Sequence, residues 1–171
     1  MSVGKEATPT YAIIDSQSVK TTGKAEQKGF DGGKKVKGRK RHILVDTIGN
    51  LLGVVVHAAN IHDTRAGIMV VDKALKTYPT IEAISADAGY RKTFEQDVMN
   101  NHNIPVDIST KINGEWRIIA KRWVVERNFA WLNNARRLAK DLVVFKKLCH
   151  SHKLSNKTGM TPCKTLTLTK P

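Results

Sequence analysis

The chain has 171 residues, in which 29 Lys and Arg outnumber 15 Asp and Glu, so its formal net charge is +14. This length fits one domain with its own core, and no apolar stretch approaches the roughly 18 residues of a membrane span. Two cysteines are too few for a disulfide framework, and the first residues show no signal-peptide pattern. We therefore expect a protein of a reducing cytoplasm rather than a membrane or disulfide-rich secreted protein.

The positive charge is concentrated in two segments. Residues 20–41 contain nine Lys and Arg against two acids, and residues 136–171 contain nine against one, whereas residues 42–135 hold ten of each. A single scattered run of charge is usually a solvated surface, but two dense runs around a neutral core are typical of a protein that binds a polyanion. Neither run has the apolar face of a membrane-surface helix, so we expect nucleic acid as the partner.

The first part of the chain predicts three antiparallel strands. Residues 1–10 are polar and indicate a flexible lead-in, and Tyr11–Asp15 is an apolar run that ends at an aspartate. Residues 16–37, rich in lysine and glycine, predict a mobile basic loop. Arg39–Thr47 and Leu51–Ala59 are two β-rich runs on either side of a glycine-containing turn, and they should pair beside the first strand.

Helices and strands alternate in the next part. A helical pattern begins near Asp63 and stops before Pro79, and it is followed by an apolar strand, residues 81–86, then a helix, 92–101, and another strand, 104–108. Strand, helix, strand in sequence implies a right-handed parallel crossover. The sheet should therefore be mixed, with antiparallel strands first and parallel strands afterwards.

A long helix is predicted from about Glu115 to Leu148. Ile119, Trp123, Glu126 and Ala130 recur at helical spacing, so we expect them on one buried face, with the three tryptophans in the core rather than stacked on bases. A carboxylate on an apolar face is costly unless it is paired or bound to a cation. The remaining polar residues have no apolar period and predict a disordered tail.

Three carboxylates stand out by their positions. Asp15 and Asp87 each follow an apolar strand, and Glu126 lies inside the last helix. Alone, each has an ordinary interpretation, because an aspartate at a strand end is usually a turn former and Glu126 could pair with Arg122 one helical turn earlier. If the fold brings the three together, their oxygens make a site for divalent metal.

Four ordered segments carry a family resemblance: residues 12–20 (AIIDSQSVK), 33–46 (GKKVKGRKRHILVD), 86–90 (ADAGY) and 122–132 (RWVVERNFAWL). They resemble bacterial insertion-sequence transposases of the Asp-Asp-Glu (DDE) type, in particular the insertion-sequence-five group, and the likeness runs from about Pro9 to Asp141. The resemblance implies an α/β fold with a ribonuclease H-like mixed sheet, three antiparallel strands followed by parallel strands, and flanking helices. The catalytic domain would span residues 11–148, between the lead-in and a tail of residues 149–171.

The resemblance also implies a function. It predicts DNA transposition, with Mg²⁺-dependent cleavage at transposon ends and strand transfer into target DNA. Asp15, Asp87 and Glu126 would be the catalytic residues and would hold two Mg²⁺ ions, which Mn²⁺ can replace. The partners would be transposon-end and target DNA and, on DNA, further copies of the chain, in the nucleoid of a bacterial cytoplasm.

The cations assigned to DNA belong to the basic loop, the strand after it and the last helix. They are Lys20, Lys34, Lys35, Lys37, Arg39, Lys40, Arg41, Arg122, Arg127, Arg136 and Arg137. Arg122 matches the family's arginine four residues before the glutamate. The family's flanking tyrosine and lysine are replaced by Ile119 and Asn133, and Arg136 or Arg137 would supply the missing cation. The alternative for the loop is a solvated surface.

Two departures from the family leave other functions open. Only fourteen residues precede Asp15, where relatives carry a DNA-binding region, and the sequence after about Asp141 is unlike theirs. The alternative is therefore a catalytically inactive fragment that only binds, either to DNA or to a full-length transposase. A stand-alone nuclease of the same fold is a third possibility. The Cys149-His150-Ser151-His152 segment with Cys163 does not have the spacing of a zinc finger.

Overall fold

The computed structural model describes residues 8–21, 27–109, 122–135 and 138–139. Within these ranges the strands are β1 Tyr11–Lys20, β2 Gly29–Asp31, β3 Val36–Asp46, β4 Leu51–Ala58, β5 Ala83–Ala86 and β6 Val106–Ile108. The helices are α1 Asp63–Leu75, α2 Thr93–His102 and α3 Arg122–Asn134, and a single 3-10 turn, Ala88–Tyr90, follows β5. None of the described helices is long and apolar enough to cross a membrane.

The strands form one mixed sheet in the order β2-β3-β1-β5-β6, with β4 also paired to β3. β1 is antiparallel to β3 and parallel to β5, and β5 is parallel to β6. The turn between β3 and β4 is closed by Asp46, whose Oδ1 accepts the backbone N–H of residues 48, 49 and 50 at 2.8–2.9 Å. The predicted mixed α/β sheet, antiparallel first and parallel afterwards, is confirmed.

Each face of the sheet has its own core, because successive side chains of a strand point to opposite faces. Ala12, Ile14 and Leu44 pack with α1 and α2. Ile13 and Ile43 pack with α3. We call these the α1 face and the α3 face.

The predicted basic loop is mostly ordered structure in the described residues. β1 continues from Asp15 to Lys20, so Asp15 lies inside a strand rather than at its end, and residues 29–31 add a strand to the edge of β3. The prediction of a mobile loop over residues 16–37 is therefore wrong for the described part. Its polar residues are tied instead by pairing to β3 and by hydrogen bonds to Asp31.

The buried face of α3 also differs from the prediction. Val124, Val125 and Phe129 are buried, whereas Trp123 and Trp131 are 52% and 48% exposed. The two valines and the phenylalanine fill the core on the α3 face, and the indole rings instead lie against the Arg127 guanidinium at 4.6 and 4.8 Å from their centroids. Trp116 and Ile119 lie outside the described residues.

The predicted ends of the domain are described only in part. Thr10 belongs to the predicted lead-in, but its carbonyl accepts the backbone N–H groups of Glu82 and Ala83 at 2.8 and 3.3 Å. Residues 1–7 and the predicted tail, residues 149–171, lie outside the described residues. The long helix predicted over residues 115–148 is described from Arg122 to Asn134 and at residues 138–139.

Candidate active site

Asp15 and Asp87 come from neighbouring parallel strands. Ile13 of β1 pairs with Ser85 of β5, so two residues further along each strand Asp15 and Asp87 stand at the same level. Asp87 follows β5 directly and caps the 3-10 turn, since its Oδ1 accepts the Gly89 N–H at 2.9 Å. Strand pairing therefore brings these two carboxylates side by side at the point where β5 ends.

Arg122, the first residue of α3, faces both carboxylates. Its guanidinium lies 3.2 Å from Asp15 Oδ2 and 3.9 Å from Asp87 Oδ2. The other oxygen of Asp15 accepts the Ser16 N–H at 2.7 Å. One arginine thus shares its charge between two acids.

This arrangement leaves Asp15 short of positive charge. Burial raises its pKa to about 6, and the neighbouring charge of Asp87 acts in the same direction. Arg122 and the Ser16 N–H act against this rise without cancelling it. A largely buried carboxylate beside another acid has the properties expected of a functional group.

Glu126, the third predicted carboxylate, lies one helical turn after Arg122 and is exposed. In the ranges that the structure describes, no three His, Cys, Asp or Glu side chains form a group that could hold a metal ion. The structure therefore brings together Asp15 and Asp87 but does not gather Glu126 with them. The two aspartates supply hard oxygen donors of the kind that Mg²⁺ prefers.

The predicted DNA-binding cations fall into two groups. Lys20, Lys34, Lys35 and Lys37 are exposed. By contrast Arg39, Lys40 and Arg41 are 4%, 5% and 0% exposed, so they cannot reach a DNA backbone from these positions. Their assignment to phosphate contacts is corrected for this reason.

The buried cations are tied to protein groups. Lys40 Nζ lies 2.8 Å from Asp63 and 3.3 Å from Asp31. Arg41 donates to the Gln17 side chain and, at 2.9 Å, to Asn133 Oδ1. These contacts hold β2 and α3 against the sheet.

Arg127 is half-buried on α3. It donates to the Ile48 carbonyl at 2.8 Å while it stacks between two tryptophans, so it clamps the β3–β4 turn onto α3. Arg136 and Arg137 lie outside the described residues.

Sequence reasoning missed a buried polar network on the α1 face. Tyr90 is buried, and its hydroxyl lies 2.9 Å from His42 Nδ1. Burial lowers the pKa of His42 to about 3, so its ring is neutral at ordinary pH. The pairing of Ser16 with His42 places both residues on this face of the sheet, but nothing in the sequence indicated that Tyr90 reaches them.

Comparison with known proteins finds a family model that matches most of this chain. Residues 6–147 match the family model described as the transposase DDE domain. A putative transposase for insertion sequence element IS402 of Burkholderia cepacia is 29% identical over an alignment of 109 residues. The alignment covers 59% of this chain and 52% of that protein. The chain thus spans about half the length of the curated relative that it matches.

A solved structure shares the fold. The HTLV-2 integrase catalytic core domain, in a dimeric form in complex with magnesium, aligns with a TM-score of 0.50 and 17% identity over 89% of this chain and 83% of that one. The ribonuclease H-like fold predicted from the sequence is confirmed.

Proposed function

Because the chain belongs to the family of transposases with a DDE domain, we propose that it cuts DNA at the ends of an insertion sequence and joins those ends to target DNA. The observation that carries the proposal is the convergence of Asp15 and Asp87, from two neighbouring strands of a ribonuclease H-like sheet, on Arg122. Membership of the insertion-sequence-five group stays a prediction from the sequence segments.

Asp15, Asp87 and Glu126 are the proposed catalytic residues and would hold two Mg²⁺ or Mn²⁺ ions. Bound divalent ions would activate the attacking oxygen and stabilise the leaving oxygen at phosphorus. Asp15 and Asp87 offer oxygens fixed by the Ser16 and Gly89 N–H groups. Arg122 aligns both carboxylates, and Glu126 on the same helix is the third donor in the proposal.

Exposed lysines at the end of β1, between β2 and β3 and at the start of β3 would hold the DNA backbone. Lys20, Lys34, Lys35 and Lys37 are accessible and carry charge complementary to phosphates, and such contacts position DNA without reading its sequence. Recognition of transposon ends, assembly of several copies on DNA and a place in the bacterial nucleoid belong to the same proposal. The matched relative is about twice as long as the aligned part, so these functions of a whole transposase are proposed only.

The test is nicking of a supercoiled plasmid that carries the DNA flanking the chain's coding sequence, with Mn²⁺ added. Asp87→Asn keeps an acceptor for the Gly89 N–H but removes the charge. We expect it to lower nicking at least about a hundredfold and to weaken Mn²⁺ binding measured by electron paramagnetic resonance. Glu82→Gln, an exposed acid outside the site, is the matched control and should nick as the parent does.

A second candidate function is DNA binding without cutting. It is favoured by the position of Glu126, which is not gathered with the two aspartates in the described residues. This function predicts binding that weakens steeply with salt in a chain that does not nick DNA with Mn²⁺. If the parent nicks DNA and Asp87→Asn still does so, the proposed site is excluded. If the parent nicks DNA and Asp87→Asn does not, the second function is excluded.

A further inference from the structure

The ribbon formed by β2 and the start of β3, residues 29–37, bends over the sheet. Asp31 pairs with Val36 of β3, and Ser18 of β1 pairs with Lys40, four residues further along the same strand. A flat sheet would keep Asp31 and Ser18 apart, because four residues of strand span about 13 Å. Ser18 Oγ nevertheless donates to Asp31 Oδ2 at 2.5 Å. The ribbon therefore curls back toward β1.

Asp31 holds the curled ribbon in place. It is 8% exposed, and its Oδ1 accepts the N–H groups of Gly33 and Lys34, both at 3.1 Å. Its Oδ2 lies 3.3 Å from the buried Lys40 ammonium. The turn that follows β2 is thus fastened to the sheet by charge and by hydrogen bonds.

Two glycines permit this close packing. A side chain at Gly29 would overlap Asn60, and a side chain at Gly38 would overlap the Val19 carbonyl. The base of the ribbon therefore depends on the absence of a Cβ at these two positions. The ribbon is a built element and not a solvated loop.

The curl carries Lys34 to the candidate active site. Its Nζ donates to the Ser16 carbonyl at 3.0 Å, and the Ser16 N–H is the group that binds Asp15 Oδ1. Lys34 is exposed, so a rotation of its side chain can move the ammonium to a phosphate beside Asp15.

We propose that Lys34, held in place by Asp31, binds the phosphate that is cut, while Lys35 and Lys37 contact phosphates elsewhere along the DNA. The inference rests on the proposed function and assigns one residue of the basic surface to its chemistry. An ammonium fixed beside the reacting phosphate stabilises negative charge on its oxygens in the transition state. In this role Lys34 supplies charge and transfers no proton.

The experiment compares Lys34→Ala with Lys35→Ala, which removes the same charge from the adjacent residue. Both should weaken DNA binding to a similar, modest extent and lower its salt dependence. At saturating plasmid DNA, Lys34→Ala should lower the nicking rate about a hundredfold and far more than Lys35→Ala does. Lys76→Ala, at an exposed lysine outside the proposed DNA surface, should leave the rate unchanged. Lys34→Arg, which keeps the charge, should recover most of the rate.

Mn²⁺ affinity measured without DNA distinguishes the loss of a nearby charge from damage to the site, because the two change this affinity in opposite directions. Removal of a cation close to the Asp15 carboxylate should tighten Mn²⁺ binding about two- to threefold in Lys34→Ala and less in Lys35→Ala. A merely structural role for Lys34 would lower both Mn²⁺ affinity and nicking. Opposite changes in the two quantities are expected only if Lys34 acts at the site.

The outcomes separate this inference from the proposed function. If Asp87→Asn abolishes nicking but Lys34→Ala nicks as Lys35→Ala does, the site stands and the role of Lys34 is wrong. If the parent does not nick DNA at all, cleavage by this chain is wrong, and Mn²⁺ affinity alone decides whether Lys34 lies at the carboxylates. Unchanged Mn²⁺ affinity in Lys34→Ala would then overturn the inference.

Discussion

Asp31 and Asp15 both lie in strands of one sheet and face a cation, yet the fold treats their charges in opposite ways. Burial works against the charge of Asp31, but the Ser18 hydroxyl, the Lys34 N–H and the Lys40 ammonium hold the pKa of Asp31 well below its usual range. Burial also works against the charge of Asp15. There it prevails over Arg122 and the Ser16 N–H and raises the pKa of Asp15 to about 6.

The difference separates a structural acid from a candidate functional one. Asp31 is surrounded by donors, so its charge contributes to stability. Asp15 shares one arginine with Asp87 and is left short of compensation, which costs stability. Charge that is kept at such a cost is typical of sites that must bind a cation or a reacting group.

The largest expected effect comes from Asp31→Asn, which replaces the carboxylate by an amide of the same shape. Lys40 would keep only Asp63 as its acidic partner, and the Ser18 hydroxyl would lose the Oδ2 acceptor, whereas the amide oxygen keeps an acceptor for the Gly33 and Lys34 N–H groups. We expect the free energy of unfolding to fall by about 3 kcal/mol at pH 7, as for a broken buried ion pair. Urea unfolding measures it, and the exposed Asp107→Asn control should change it by about 0.5 kcal/mol or less.

The pH dependence of Asp31→Asn identifies its cause. Since the pKa of Asp31 is lowered in the folded state, its stabilisation is present above its ordinary value of 3.8 and is lost as the pH falls through the folded pKa. The deficit of the variant should therefore be constant between pH 5 and pH 7 and shrink only below about pH 4. A deficit that disappears near pH 6 would contradict the assignment.

The same substitution at Asp15 should act in the opposite direction. Because the pKa of Asp15 is raised from 3.8 to about 6, folding is penalised when this group is charged, above pH 6. Asp15→Asn should raise the free energy of unfolding by about 2 kcal/mol at pH 7.5 while it abolishes nicking. A stability loss at this pH would show that Arg122 already compensates Asp15.

The stabilisation by Asp15→Asn should titrate in its own window. We expect the full stabilisation above pH 6 and a decline between pH 6 and pH 4. Below the ordinary aspartate pKa of 3.8 the stabilisation should be absent. Urea unfolding at pH 7.5, 5 and 4 would measure this decline. The two variants thus differ both in sign and in the pH range over which they change.

The sequence was sufficient for the sheet and for the proximity of the two aspartates, although Asp15 lies inside β1 and not at its end. Alternating apolar strands and the helices after Asp63 specify the mixed sheet, and parallel pairing of β1 with β5 then places Asp15 level with Asp87. Such local patterns report which residues form an element and which ends of strands meet.

What the sequence could not give was the burial of polar residues. Lysines and glycines over residues 16–37 have the composition of a loop, and only the contacts of Asp31 show that residues 29–37 form a ribbon. The helical period of α3 was visible, but it did not decide between Trp123 and Val124 as the buried residue. That choice depends on the opposing core and on the stack of two indoles around Arg127.

The smallest expected effect tests whether the two regions are separate. The Tyr90 hydroxyl lies 2.9 Å from His42 of β3, and His42 pairs with Ser16, the residue after Asp15 on β1. Tyr90→Phe removes a partner of the buried His42 Nδ1 and should lower the free energy of unfolding by about 1 kcal/mol. His42 stays neutral above about pH 4, since its pKa is about 3, so this loss should not vary between pH 5 and pH 8.

The double variant Tyr90→Phe with Asp15→Asn then decides the comparison. If Asp15 belongs to an independent site, the two changes in the free energy of unfolding should add to within about 0.5 kcal/mol. A coupling energy above about 1 kcal/mol would mean that Ser16 transmits strain between the carboxylates and the buried network. The contrast between a compensated Asp31 and an uncompensated Asp15 would then be a property of one connected network rather than of two local environments.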